Sequence, residues 1–181
     1  MKAGIMMAAL AGLALSGCGS EDTADGAPRS EADLKKEVAK LDAPEPGQYR
    51  QVLEVTRLDL PGLPPEAAEQ MKTAMADKQE TLVCITQADA DKGYRDMFKD
   101  VRKGSECAYS RFEVNGGKLD AQMDCKAAGQ GQMVMKLAGT LGPNRSDVTI
   151  DVDPVGNPLP GQGMKMTLRL TTTRVGDCPA S

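Results

Sequence analysis

Cysteine, methionine and paired aspartate are the residue types in this chain with chemistry to offer. Its 181 residues contain 5 Cys and 11 Met but no His. A serine or cysteine nucleophile normally needs an adjacent imidazole base, so Ser-His and Cys-His pairs are excluded, as is any histidine metal site. Cys84, Cys107, Cys125 and Cys178 form an even set without a Cys-x-x-Cys spacing. A zinc site would have to take all four as thiolates, and thiol redox chemistry would call for a depressed thiol pKa, usually in a Cys-x-x-Cys pair. Two structural disulfides are the expectation. Asp151 and Asp153 share one side of a strand pattern, but a carboxylate pair for glycoside chemistry needs one acid in an apolar pocket. Opposite Val148, Ile150 and Val152 they read as a solvated face. Met133/Met135 and Met164/Met166 are same-side pairs, and thioethers are soft ligands for Cu(I). That makes them a distant metal-binding alternative to the plainer role of filling a core that has only 3 Tyr and 2 Phe. No catalytic residue, resident metal or cofactor is expected.

The fifth cysteine sits in a different setting. Lys2 gives a short positive start, Ile5 to Leu15 is apolar, and Leu15-Ser16-Gly17-Cys18 closes the run. The segment has the length of a secretory leader and is too short to span a bilayer. The closing string resembles a bacterial lipobox, which implies cleavage before Cys18 and acylation of that cysteine. Acyl chains of the palmitate type on one residue then supply the membrane attachment, since a multiply acylated cysteine holds firmly where a single chain does not. Gly19, in place of an aspartate, resembles lipoproteins sorted to the outer rather than the inner membrane.

Composition agrees with export. Once Lys2 leaves with the leader, the basic count of 22 falls by one against 26 acids, a mildly acidic balance. There is no basic stripe for nucleic acid and no polybasic patch for anionic lipid. An even cysteine remainder in an exported chain fits an oxidising compartment. The division expected is a leader over 1–17, a lipidated flexible tether over 18–45, one disulfide-stapled β domain over 46–178 and a tail over 179–181.

The elements that must hold these groups begin within the tether. Ser30 with Asp33 reads as a capping box, and Leu34, Val38 and Leu41 fall on one helical face. At that length a marginal helix in a linker is expected rather than a docking helix. Tyr49 to Leu60 reads as a strand without clean alternation. After the break at Pro61 to Pro65, Glu66 to Met75 reads as a helix with Ala68, Met71 and Met75 on one side. Glu80 to Thr86 is a short strand carrying Cys84, and Thr86 with Asp89 opens another capped start. Tyr94 to Lys103 is a second amphipathic pattern, with Tyr94, Met97, Phe98 and Val101 together.

From Cys107 the period changes from 3.6 to 2. Asn115-Gly116-Gly117 signals a hairpin, and Leu119, Ala121, Met123 and Cys125 alternate with polar residues after it. The alternation continues through Met133 to Leu141, Val148 to Val152 and Met164 to Leu170. One apolar and one wet face per strand predict a mainly β (α+β) fold: an antiparallel up-and-down meander, curved or partly closed into a barrel. The helices at Glu66–Met75 and Tyr94–Lys103 are the expected cover of its apolar face. Up-and-down order brings Cys107 to Cys125 and leaves Cys84 within reach of Cys178. Parity objects: pairing Val114 with Leu119 and Phe112 with Ala121 sets Cys107 and Cys125 on opposite faces unless a bulge intervenes.

Pro46-Gly47-Gln48-Tyr49, Leu60-Pro61-Gly62-Leu63-Pro64, Cys84-Ile85-Thr86-Gln87-Ala88-Asp89, the Cys107/Cys125 hairpin and Arg174-Val175-Gly176-Asp177-Cys178 occur in order. Together this set resembles the domain-of-unknown-function 3617 family, found in exported proteins and lipoproteins of Gram-negative bacteria. The chain differs from the family's usual tryptophan at Tyr49. The resemblance implies compartment and fold and transfers no catalytic residue.

Two functions are expected to compete. One is a non-catalytic envelope interaction module tethered to the membrane through Cys18 and working on an envelope protein through its surface. The other is a carrier of lipid or another hydrophobic ligand in a β half-barrel, motivated by one-sided apolar strands with few aromatics to close a core.

Overall fold

The computed structural model describes residues 28–94, 106–127, 131–156 and 163–180. The leader, Cys18 and all of the Tyr94–Lys103 pattern beyond Tyr94 lie outside these residues. Seven antiparallel strands form one open sheet in the order β2-β1-β7-β6-β5-β4-β3. They are β1 (Gly47–Asp59), β2 (Gln79–Ile85), β3 (Glu106–Asn115), β4 (Lys118–Ala127), β5 (Gly131–Leu141), β6 (Arg145–Val155) and β7 (Lys165–Gly176). Strands β3 to β7 are the expected meander, and β1 with β2 extends it beyond β7. Among the described residues three short helices accompany it: α1 (Glu31–Val38), α2 (Pro65–Met75) and α3 (Gln87–Lys92).

Side-chain alternation and pairing build the interior. Residues paired across neighbouring strands share a face, which gives three apolar rows running across the sheet. The upper is Val114, Leu119, Gly139, Val148, Leu170 and Leu53. The middle is Phe112, Ala121, Leu137, Ile150, Leu168 and Val55. The lower is Tyr109, Met123, Met135, Val152, Met166 and Leu58. Between the middle and lower rows the register shifts twice, at Ser110 in β3 and at Thr56 in β1. A bulge places one extra residue on one strand and sharpens its twist. The Thr56 bulge is why Tyr49 to Leu60 lacks clean alternation in the sequence.

The turns follow from residue type. Gly116 and Gly117 take φ of 55° and 75° between the paired Asn115 and Lys118. Two consecutive positive-φ residues make the tight hairpin whose twist matches the strands. Gly139 has another role. A Cβ there would lie 2.7 Å from the Cα of Val148 and closer still to the carbonyl oxygen of Asp147. Only a glycine lets β5 and β6 come together at this point of the curved face.

The core is concentrated at one side of the sheet. Tyr109, Phe112, Val114, Leu119, Ala121, Met123, Leu137 and Leu141, all on β3 to β5, are buried. Tyr109 and Phe112 meet edge to face with ring centroids 5.1 Å apart. Their cover is α1, and this corrects two expectations. Ser30 caps α1 as predicted, its hydroxyl accepting from the Asp33 N–H at 3.2 Å. The helix is not a linker helix, however: Leu34 is 9% exposed within the core, and Val38 and Leu41 pack against it. Docking onto β3 stabilises a helix too short to stand alone. The chain is attached from residue 28 onward rather than loose to residue 45. Conversely α2, expected as a cover, buries none of its residues.

Candidate apolar trough and the cysteine staples

Over β6, β7 and β1 the same three rows continue without α1 above them. Leu53, Val55, Ile150, Val152, Leu168 and Leu170 are half-buried, while Val148 and Leu58 are closed off. They form the floor of a shallow trough on the inner face. Its upper end turns polar: Ser146, Thr172 and Gln51 pair across the sheet as the next row. Above that row lies a cavity of about 310 Å³ bordered by Tyr49, Tyr94 and Lys92. The Tyr49 hydroxyl sits 2.7 Å from both the Glu45 and Pro143 carbonyl oxygens, and the Tyr94 hydroxyl donates to the Gly142 carbonyl at 2.8 Å. Burial, with a smaller contribution from Tyr49, pushes the Tyr94 phenol up to about 12, so it stays a neutral donor. These two tyrosines pin the 142–144 turn and the chain before β1 over the end of the trough.

Both expected disulfides are present. Cys107 joins Cys125 across β3 and β4 with Cα atoms 4.0 Å apart, and Cys84 joins Cys178 with Cα atoms 5.5 Å apart. The parity objection is resolved by Ser110. Val114 pairs with Leu119 and Phe112 with Ala121, the chain then steps past Ser110, and Tyr109 meets Met123 while Cys107 meets Cys125. A cavity of about 580 Å³ opens beside this disulfide at the lower end, bordered by Pro28, Met133 and Val155.

The remaining candidates are scattered. Met135 and Met166 lie in one row but with Val152 on β6 between them. Two strand spacings are roughly 9.5 Å, several times a copper–sulfur bond. Met133 packs against the core from β5, while Met164 precedes β7 and is 39% exposed. Asp151 and Asp153 lie on the outer face, where Asp151 accepts from the Thr167 hydroxyl at 2.6 Å beside Lys136 and Lys165. The same face carries Arg169, which grips Asp147 through two bonds of 2.9 and 2.6 Å. That guanidinium holds the Asp147 carboxyl below its ordinary range against a small opposing effect of burial. No group of three or more acidic or thiol ligands gathers among the described residues.

Residues 44–178 match the family described as a protein of unknown function, DUF3617. The chain belongs to the DUF3617 family. No curated protein and no solved structure matches it. The DUF3617 match spans the sheet from the residues before β1 to Cys178, and it begins after α1. The helix that closes the core thus lies N-terminal to the matched segment. Two disulfides in this DUF3617 chain fit an exported, oxidising compartment. No helix among the described residues is long and apolar enough to cross a membrane.

Proposed function

We propose that this chain is an exported lipoprotein, acylated at Cys18 and anchored to the periplasmic face of the outer membrane, that binds a lipid or other hydrophobic ligand without catalysis. The observation that carries the ligand reading is the half-buried apolar floor over β6, β7 and β1, which no helix among the described residues closes off. A contiguous apolar floor on three strands ends at a polar row, while α2 buries none of its own residues. A mostly apolar surface bordered by a few polar groups is the usual form of a small-molecule site. A carrier needs no base, nucleophile or metal, in keeping with a chain without histidine.

A second reading, a module that works on an envelope protein, is supported by the outer edge of β2. That strand ends the sheet order, and Leu82 on it is 57% exposed. An unpaired edge can add a strand from a partner.

Native mass spectrometry of the full mature chain, extracted from the membrane fraction in detergent, separates the two. A co-purifying adduct of lipid mass that is lost on denaturation, and lost in a folded Leu168→Glu variant, supports the carrier. A bare protein mass in every preparation overturns it and leaves the edge-strand reading. A copper-sized adduct would return attention to Met133, Met135, Met164 and Met166.

A further inference from the structure

The sheet has two ends, and the strand directions say which residues lie at each. Strands β1, β4 and β6 run down to the end that carries the Cys107–Cys125 disulfide, and β2, β3, β5 and β7 start from it. The opposite end holds the Gly116-Gly117 hairpin, α3 and the Cys84–Cys178 disulfide. Helix α2, inserted between the end of β1 and the start of β2, belongs to the lower end.

The large apolar side chains exposed among the described residues are Met71, Leu82, Val155, Met164 and Val175. Met71 on α2, Val155 at the foot of β6 and Met164 just before β7 all fall at the lower end, 41%, 47% and 39% exposed. They come from segments far apart in sequence. Helix α2 is itself amphipathic, with Met75 beside Met71 on one side, yet no residue of it is fully buried and Met71 stays exposed. The half-buried Met166 and Val152 of the lower row lie towards the same end.

A second, independent observation concerns where the chain comes from. Pro28 borders the cavity beside Cys107 and Cys125, and the Arg29 N–H donates to the Tyr109 carbonyl at 2.6 Å. The chain therefore joins the domain at its lower end. Between Cys18 and Pro28 it can reach at most about 35 Å, whatever its conformation. A lipid anchor on Cys18 would hold this end, and not the hairpin end, next to the bilayer.

We infer that the lower end of the domain docks on the bilayer interface, with Met71, Val155 and Met164 seated among the lipids and the trough opening onto them. The inference rests on the lipoprotein reading above and deepens it by fixing how the domain stands on its membrane. Docking three separated side chains is weak for a free protein. A short tether raises the local concentration enough to make such contacts persist. Among the described residues the charges at this end are of both signs: Lys72 pairs with Glu69 at 3.0 Å and Lys78 with Glu54 at 3.1 Å. Attraction to anionic lipid is thus not the driving force, and the contact should resist salt.

The chain contains no tryptophan, so single replacements report position cleanly. Full-length Val155→Trp, Met164→Trp and, as the upper-end control, Leu82→Trp would be recovered from membranes and reconstituted in phosphatidylethanolamine/phosphatidylglycerol vesicles, with and without brominated acyl chains. Docking at interfacial depth, some 5–10 Å below the headgroup boundary, predicts that bromination removes about half or more of the emission at 155 and 164 and little at 82. The ratio should persist at high salt. Equal, weak quenching at all three positions in a chain whose acylated N-terminus is verified by mass overturns the docking and leaves the lipoprotein reading intact. Stronger quenching at 82 would invert the orientation and likewise overturn it. If the N-terminus is not acylated, the lipoprotein reading fails by that mass alone. The docking inference then stands or falls on whether vesicles added to the protein still quench positions 155 and 164.

Discussion

A side-chain oxygen of Glu37 lies 2.9 Å from the main-chain N–H of Val114, so a helix residue occupies a hydrogen-bonding site on the outer edge of β3. With the Arg29 N–H on the Tyr109 carbonyl, this contact blunts that edge, which would otherwise be an open template for another strand. Replacing Glu37 with Ala leaves a partly buried N–H without its acceptor and should cost about 1–2 kcal/mol. Leu34→Ala should cost about 2–3 kcal/mol through the cavity it leaves. Lys36→Ala, on the exposed side of the same helix, should be close to neutral. Urea denaturation of the three variants orders them.

The same carboxyl makes docking pH-dependent. Burial works against the charge of Glu37, yet the Lys40 ammonium at 2.6 Å and the Val114 N–H outweigh it and hold its pKa below the ordinary carboxylate value of 4.5. A lowered folded-state pKa means stability that is fully present above the unfolded value and is lost as the pH falls through the folded one. Acid below pH of about 4.5 should therefore loosen α1, and Asp147, lowered by Arg169, titrates in the same direction. Corrected for the intrinsic rate, the protection of the Val114 amide against exchange should fall over that range in the wild type, while in the Glu37→Ala variant it should be low already at neutral pH.

Deleting Ser110 tests the bulge. Without the extra residue, plain alternation carries the Phe112–Ala121 pairing straight on to Tyr109–Met123 and Cys107–Cys125. The expected outcome is a folded protein in which neither of these thiols reacts with a maleimide after denaturation, with the Cys84–Cys178 bond also intact. Free thiols at Cys107 and Cys125 would show that the pairing below Ser110 depends on the bulge itself.

The two disulfides should not respond alike to reductant. Cys84 is exposed on the edge strand, whereas Cys125 is 5% exposed within the core cluster. Mild dithiothreitol followed by alkylation should label Cys84 and Cys178 first. The closed loops span 94 and 18 residues, for which loop entropy gives about 4–5 and about 3 kcal/mol. Reducing the outer bond alone should therefore lower the melting temperature more than removing the inner pair by substitution.

Gly139→Ala is the smallest change expected to disturb the curvature. Its methyl group would press on backbone atoms of Asp147 and Val148, which cannot swing aside as a side chain can. A loss of about 1–3 kcal/mol is expected, as for other overpacked sites, and calorimetry would measure it.

Strand content was legible because one-face burial imposes a period of 2, and the Val114–Leu119 and Phe112–Ala121 pairing could be read from that period and the Asn115-Gly116-Gly117 turn. The broken alternation around Thr56 was the visible trace of a bulge, although a bulge and a poor strand look alike in sequence. What covers the sheet was not legible. Leu34, Val38 and Leu41 have a helical spacing much like that of Ala68, Met71 and Met75, yet the first set closes the core while the second leaves Met71 exposed and fully buries no residue. Periodicity reports that a helix has an apolar side and is silent on what lies against it. The half-open trough follows from that asymmetry and could not be seen from any strand alone.

The segment from Pro28 to Leu41 also has a mechanical consequence. It is the part of the domain through which any pull arriving from the N-terminal side must pass before it reaches a strand. Its hold on β3 runs through the single Arg29–Tyr109 bond, the Glu37 contact and the apolar side of α1, and these are loaded one after another. Tension would therefore peel this strap from the sheet before the strands, with their many parallel bonds and two covalent staples, carry the load. The first thing a stretched tether would expose is the aromatic pair Tyr109 and Phe112.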